Sequence, residues 1–382
     1  MVVFRADGNP AIGSGHIMRC LSIADAGRAY LGQDILFVLA SGHFREIVEN
    51  RGYACAVLET DYRCMDMETE KMAELIHCRR PSAVFVDSYY AGFRYLERLQ
   101  AEVNKTDEET GGGPGRLVCI DDVMSFAYPC DVLVNYNMYG PDRRGAYEEM
   151  YTEAHVPVPQ MLLGPEFAPL RAQFQGLPER VVRRKAKNIL ILTGGADPEH
   201  IAVCMAEYLA AHRQEQETGG FRFHFVIGAM NGDGEKIRSI ASGDSRMVLH
   251  FNVEDMGLLM CQADVAVSAA GSTLYELCAA QTPALTYILA DNQIPGAESF
   301  ERRGILRCAG DVRGMERERI GETLLKEAVK LAEDYEQRKE ISARQRKLTD
   351  GNGAERIVKA ACLNGSRTHR PDRGAAGKKK QS

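Results

Sequence analysis

Short apolar runs rich in β-branched residues recur along this chain and alternate with stretches of helical periodicity. That alternation restricts the fold to parallel sheets flanked by helices. Val2–Arg5, Asp34–Leu39, Ala54–Leu58, Ala83–Asp87, Leu117–Asp121 and Asp131–Asn135 read as strands. Most of the intervals between them carry apolar residues at i, i+3 and i+4. A second cycle follows Gln175–Lys187, a stretch of weak apolar periodicity containing Pro178 and five basic residues. Its strands are Asn188–Thr193, Phe221–Ile227, Met247–Phe251, Asp264–Ser268 and Ala284–Ile288. The expectation is an α/β protein of two doubly wound, Rossmann-like domains, residues 1–175 and 176–363, facing a cleft. Open α/β sheets bind ligands at the carboxyl ends of their strands, so the chemistry is expected there. The last long helical pattern, about Met315 to Lys347, is rich in Glu, Lys and Arg and reads as a surface helix.

A length of 382 residues agrees with two domains, and 45% hydrophobic content is enough for each to bury a core. The polar, glycine-rich run Asn104–Gly115 reads as a mobile surface loop. Residues 364–382 hold six basic residues against Asp372 and read as a disordered, solvated tail. The net charge of −6 therefore conceals an acidic body of −11. Such a body argues against a nucleic-acid partner, whose footprint would be a basic face. The opening MVVFRAD enters a strand at once, without the pattern of a secretory signal, and no apolar run reaches the roughly 18 residues of a membrane span. A cytoplasmic protein without a membrane span is expected. The eleven cysteines are scattered, with no C-x-x-C and no zinc-type spacing, which argues against structural disulfides and a metal cluster.

Four strand ends carry unusual residues. After strand one, Gly13-Ser14-Gly15-His16 leads into a helical run, where glycines permit close backbone approach and a helix start offers unpaired N–H groups to an anion. Met18 occupies the third glycine position of a dinucleotide fingerprint, which weakens an NAD reading. The alternative is a tight turn with His16 capping the helix. Strand four ends in Asp87-Ser88-Tyr89-Tyr90, an acid and aromatics suited to a sugar, or else an Asp cap with a half-buried Tyr. In Thr193-Gly194-Gly195-Ala196-Asp197-Pro198, paired glycines let amides approach a phosphate, while Asp197-Pro198 also looks like a helix cap and first turn.

The most informative stretch is Ser268-Ala269-Ala270-Gly271-Ser272-Thr273-Leu274-Tyr275-Glu276. Small residues lead into a helix whose first turn carries Ser272 and Thr273, a good diphosphate cradle. Glu276 lies about one turn on, where a carboxylate can accept bonds from two ribose hydroxyls. Thr273 with Glu276 is equally a capping box. Asp291-Asn292-Gln293 add two amides at the same sheet edge, to read sugar substituents or to cap the next helix. The chain has no P-loop, no G-x-S-x-G elbow, no H-E-x-x-H and no Asp-x-Asp pair, so a mechanism without metal or cofactor is expected.

Taken in order, FRADGNPAIGSGHIMRCLSIA, VDSYY, VLVNYN, LLGPEFAPLRAQF, ILTGGADP, VSAAGSTLYELCA and ADNQ resemble the UDP-2,4-diacetamido-2,4,6-trideoxy-β-L-altropyranose hydrolases of pseudaminic acid biosynthesis, over about residues 2–305. The resemblance implies a glycosyltransferase-B-like fold, related to the transferase that adds N-acetylglucosamine to lipid-linked muramyl peptide, with a sugar and catalytic domain followed by a UDP-binding domain. It makes His16 the base that activates water for inverting attack on the anomeric carbon. Tyr89 falls near the sugar, Glu276 at the ribose, and Asn292 and Gln293 near the sugar and phosphates. Arg5, Asp7 and Arg19 match the N-terminal motif as supports of the site, with Asp7 and Gly15 counted among the sugar positions. UDP is expected at Gly194, Gly195, Asp197, Gly271, Ser272, Thr273 and Glu276. Spore-coat polysaccharide transferases share much of this pattern, so a glycosyltransferase is the alternative. A silent sugar-nucleotide-binding protein is a third reading, against which His16 counts because a sensor needs no base.

Overall fold

The computed structural model of the chain describes residues 1–9, 12–105, 114–214, 218, 220–228 and 230–363. Most of the glycine-rich run expected at 104–115 and the whole expected tail, 364–382, lie outside the described residues.

Two wholly parallel sheets account for the strands. The first contains β1 (Val2–Ala6), β2 (Ile35–Leu39), β3 (Ala54–Val57), β4 (Ala83–Asp87), β5 (Arg116–Ile120), β6 (Val132–Asn135) and β7 (Gln160–Leu163), in the order β3-β2-β1-β4-β5-β6-β7. The second contains β8 (Asn188–Leu192), β9 (Arg222–Ile227), β10 (Met247–Phe251), β11 (Val265–Ala269), β12 (Ala284–Ile288) and β13 (Arg307–Asp311), in the order β10-β9-β8-β11-β12-β13. Strand order reverses between β1 and β4 and again between β8 and β11. At such switch points the loops leave a sheet in opposite directions and open a crevice.

The apolar runs are continuous because both sheet faces are covered. Phe4, Phe37 and Phe85 stack across β2, β1 and β4, with ring centroids 5.0 and 4.6 Å apart, and pack against the helix Gly15–Leu31. Val3, Val38 and Val84 point to the opposite face, towards Tyr95, Leu96 and Leu99 of the helix Phe93–Val103. Two strands lie beyond the sequence expectation, and both are sheet edges. β7 follows two prolines and exposes its first residue, while β13 contains Gly310 at φ +91° and pairs irregularly with β12.

The pattern expected as one surface helix is two helices, Arg317–Glu333 and Tyr335–Gln345, separated at Asp334, whose carboxylate accepts the Gln337 N–H. The first is half core. Ile320, Leu324, Leu325, Ala328 and Leu331 are buried, and the helix packs on Ile201–Ala211. The proposed division at residue 175 falls between β7 and β8. However, the last helix, Gly353–Cys362, returns to the first domain and packs on Gly15–Leu31 through Ala354, Ile357, Val358 and Ala361. The segment 176–363 is thus not one spatial unit, and a helical period could not reveal which sheet the helix covers. Its entry requires glycine: a Cβ on Gly353 would lie 2.1 Å from the Ala168 carbonyl oxygen. No helix among the described residues is long and apolar enough to cross a membrane.

Candidate active site

The loop after β1 closes through a two-way backbone bridge between Asn9 and Gly13, with Gly13 at φ +72°. Helix Gly15–Leu31 then begins, so His16 lies inside the first turn and is not its cap. One turn on, Arg19 faces the same side. Both reach Asp87, the last residue of β4, which is 1% exposed. His16 Nδ1 lies 2.7 Å from Asp87 Oδ1, and Arg19 donates Nε and Nη2 to the same carboxylate. Arg19 Nη1 reaches Asp122 Oδ2 at 2.6 Å and the Tyr136 hydroxyl at 3.0 Å. Burial would push the Asp87 carboxyl up, but Arg19 and His16 outweigh it and hold it well below the usual carboxylate range. Burial likewise disfavours the Arg19 charge, and Asp122 and Asp87 more than restore it.

Tyr89 meets the His16 ring edge-on, with centroids 4.7 Å apart, and donates its hydroxyl to Asp122 Oδ2 at 3.1 Å. Burial, then Asp122, pushes its phenol up, so it remains a donor at neutral pH. These groups form one wall of a cleft of about 310 Å³ between the two sheets. Gly15 is also in that wall, and a Cβ there would meet nothing within 4 Å. The facing wall brings Gly271, Ser272, Asn292 and Gln293, with Tyr275 and Phe300 behind them. Tyr275 ties the walls together: its hydroxyl accepts the Met138 N–H at 3.0 Å, and its ring meets Tyr136 edge-on at 5.4 Å.

The structure therefore gathers His16, Gly15, Tyr89, Asn292, Gln293, Gly271 and Ser272 at one cleft. It does not do the same for the other expected positions. Asp7 lies beneath the site, its carboxylate taken by Arg5 Nη1 at 2.5 Å and the Ala40 N–H at 2.8 Å. Both oxygens are thereby engaged beside the fully buried Arg5, which needs an anion next to it, while Asp7 also borders a small recess with His16 and Tyr89. The expected Asp197-Pro198 cap and first turn is not formed, because the helix Ile201–Ala211 begins after His200; Asp197 instead reaches it from the preceding loop, its two oxygens accepting the Ile201 and Ala202 N–H groups, each at 2.9 Å. Gly194 and Gly195 lie outside the cleft walls, close against Gly228 at the end of β9. Ser272, not Thr273, stands at the N-cap of the helix Thr273–Ala279 and makes no side-chain cap bond, so the capping-box alternative of Thr273 with Glu276 is not formed. Glu276 instead accepts both Nε and Nη2 of Arg171 on Oε1, at 3.1 and 2.8 Å. Its side chain is 17% exposed, and burial raises its carboxyl against the partial opposition of Arg171. Gln293 closes its turn by accepting the Leu289 N–H on Oε1, which leaves its amide hydrogens for the cleft.

Sequence reasoning missed Asp122, Asn137 and Tyr139, which also line the cleft. Asn137 Nδ2 donates to Asp122 Oδ1 at 3.0 Å, and the Tyr139 hydroxyl donates to the Asp122 carbonyl. Their signal was present: Asp121-Asp122 and Asn135-Tyr136-Asn137 follow apolar strands at the carboxyl edge of the sheet. Among the described residues, no three His, Cys, Asp or Glu side chains form a group that could hold a metal ion.

Over 361 residues the chain is 23% identical to the spore coat polysaccharide biosynthesis protein SpsG of Bacillus subtilis, covering 92% of this chain and 95% of that protein. Over 148 residues it is 28% identical to a Helicobacter pylori protein, the pseudaminic acid cytidylyltransferase and UDP-2,4-diacetamido-2,4,6-trideoxy-β-L-altropyranose hydrolase, covering 39% of this chain and 25% of that one. Among solved structures, the glycotransferase of kitacinnamycin superposes with a TM-score of 0.56 at 14% identity, covering 94% of this chain and 98% of the other. The UDP-GlcNAc 2-epimerase of Neisseria meningitidis, bound to UDP-GlcNAc, gives 0.55 at 12% identity, covering 94% and 99%. No protein-family profile matches the chain. At these identities the likeness is one of architecture, and with the two parallel sheets it gives the chain a two-domain, glycosyltransferase-B-like fold.

Proposed function

We propose that the chain hydrolyses a UDP-amino sugar, releasing UDP by attack of water on the anomeric carbon. The observation that carries this reading is the position of His16, held at a cleft wall opposite the Gly271–Ser272 loop. A base on one wall and a helix start on the other suit a substrate whose sugar lies between them. His16 takes a proton from water as the new C–O bond forms, and the bond to UDP breaks with its electron pair leaving on the UDP oxygen. Single displacement inverts the anomeric centre. The N–H groups opening Thr273–Ala279 meet the charge that develops on the departing diphosphate. The ribose lies beyond the cleft walls, against Glu276 and the Gly194-Gly195 loop. Asn292 and the amide hydrogens of Gln293 hold sugar and phosphate. The likeness to the Helicobacter protein, named in part as a hydrolase of a UDP-diacetamido sugar, supports this substrate class.

A second reading, transfer of the sugar to a surface polysaccharide, is favoured by the Bacillus protein, whose match covers 92% of the chain. Acceptor dependence separates the two. Purified enzyme incubated with a panel of mono- and diacetamido UDP-sugars should release UDP in buffer alone. His16→Asn should lower turnover about 10²–10⁴-fold with UDP affinity unchanged. UDP release only after an acceptor is added would favour transfer, and none under any condition would leave a binding protein.

A further inference from the structure

We propose that Asp87 is the positioning residue that sets the tautomer and orientation of His16, with Arg19 holding Asp87 in place. The inference rests on the reading of His16 as the base and assigns the group on which that base depends. Three donors converge on the Asp87 carboxylate: His16 Nδ1 and Arg19 Nη2 on Oδ1, and Arg19 Nε on Oδ2. Arg19 Nη2 is also 3.0 Å from His16 Nδ1, and because a guanidinium only donates, that contact is a hydrogen bond only if Nδ1 carries the lone pair, which would then face the Asp87 carboxylate. An ionised carboxylate accepts only, so at 2.7 Å the bond runs from Nδ1–H to Asp87. The neutral ring then carries its lone pair on Nε2, the nitrogen not committed to Asp87, which is what a base requires.

The charge balance points the same way. Around His16 the buried cluster contains one cation, Arg19, and two anions, Asp87 and Asp122. With a neutral imidazole it has one surplus negative charge. When His16 takes a proton from water, that surplus is cancelled within the cluster, without rearrangement. Arg19 spans both carboxylates and so fixes the Asp87 plane against rotation, while Cys20 Sγ, 3.6 Å from Oδ2, fills the remaining side. The site thus has the logic of a histidine oriented by a buried acid, built from β4 and the first turn of the helix after β1.

The tautomer can be read directly. In enzyme labelled with ¹⁵N-histidine, long-range ¹H–¹⁵N correlation of the resting state at alkaline pH should show His16 with its proton on Nδ1. In Asp87→Asn, the amide can donate to Nδ1, so the proton should move to Nε2. Turnover should then fall by about 10²–10⁴-fold, as expected when a base is held in the wrong tautomer. UDP affinity should hold, which also shows that the variant is folded. An Nε2-protonated His16 in the unaltered enzyme, or an Asp87→Asn enzyme with undiminished turnover, overturns the proposal. Failure of the base reading itself has a different signature: His16→Asn retains turnover while the Nδ1–H signal remains in the unaltered protein.

Discussion

Asp87 ends β4 and Asp7 directly follows β1, whose last residue Ala6 is in register beside Asp87, yet the two carboxylates serve different ends. Asp87 faces the helix carrying His16, whereas Asp7 turns to Arg5 and the Ala40 N–H. Arg5 is fully buried, and burial would depress its charge were Glu68 and Asp7 not bound to it. Asp7→Asn should therefore destabilise the fold on the order of 3 kcal/mol, the scale of breaking a buried ion pair, while UDP affinity is retained. Urea unfolding and a UDP titration of the same variant check this. Unchanged stability with weakened binding would return Asp7 to the ligand. At this scale the sequence was legible in the loops and helix starts that follow apolar strands, as at His16, Tyr89 and Asn292. It was silent on pairing: His16 and Asp87 are 71 residues apart, and no local pattern announces their contact. Asp122 and Tyr139 sit in loops where side-chain direction follows the turn rather than a period.

Among the elements, the helix Gly353–Cys362 packs on the first helix, Gly15–Leu31. Its interior residue Ile357 is fully buried in the cluster shared with Gly15–Leu31. Arg116 Nη1 further fixes it by donating to the Ala360 carbonyl at 2.6 Å. Ile357→Ala should cost about 2–5 kcal/mol in urea unfolding, because the removed atoms leave a cavity in the apolar cluster between the two helices. A loss below about 1 kcal/mol would mean that the helix docks loosely. The alternation of strands and helices was readable from period alone, and most strands fall where the apolar runs placed them. β7 and β13 escaped notice because an edge strand needs neither a continuous apolar run nor regular pairing. The docking of the last helix escaped for another reason: amphipathic spacing tells which face is buried, not against what.

At the scale of the whole molecule, two switch points face each other, and the edge-on contact of Tyr136 with Tyr275, itself backed by Phe300, holds them together. A ligand that spans the cleft must then stabilise both sheets at once. UDP at 100 times its dissociation constant should add about 2.7 kcal/mol to unfolding, in the presence of EDTA as fully as in magnesium. A melting shift that appears only with magnesium would show that the helix-start cradle is insufficient for the diphosphate. The central claim, attack of water at the anomeric carbon, is tested most directly by running the reaction in ¹⁸O-labelled water and locating the label by mass spectrometry. The account predicts one ¹⁸O in the released sugar and none in UDP. Label on the β-phosphate of UDP would place the attack at phosphorus and contradict it.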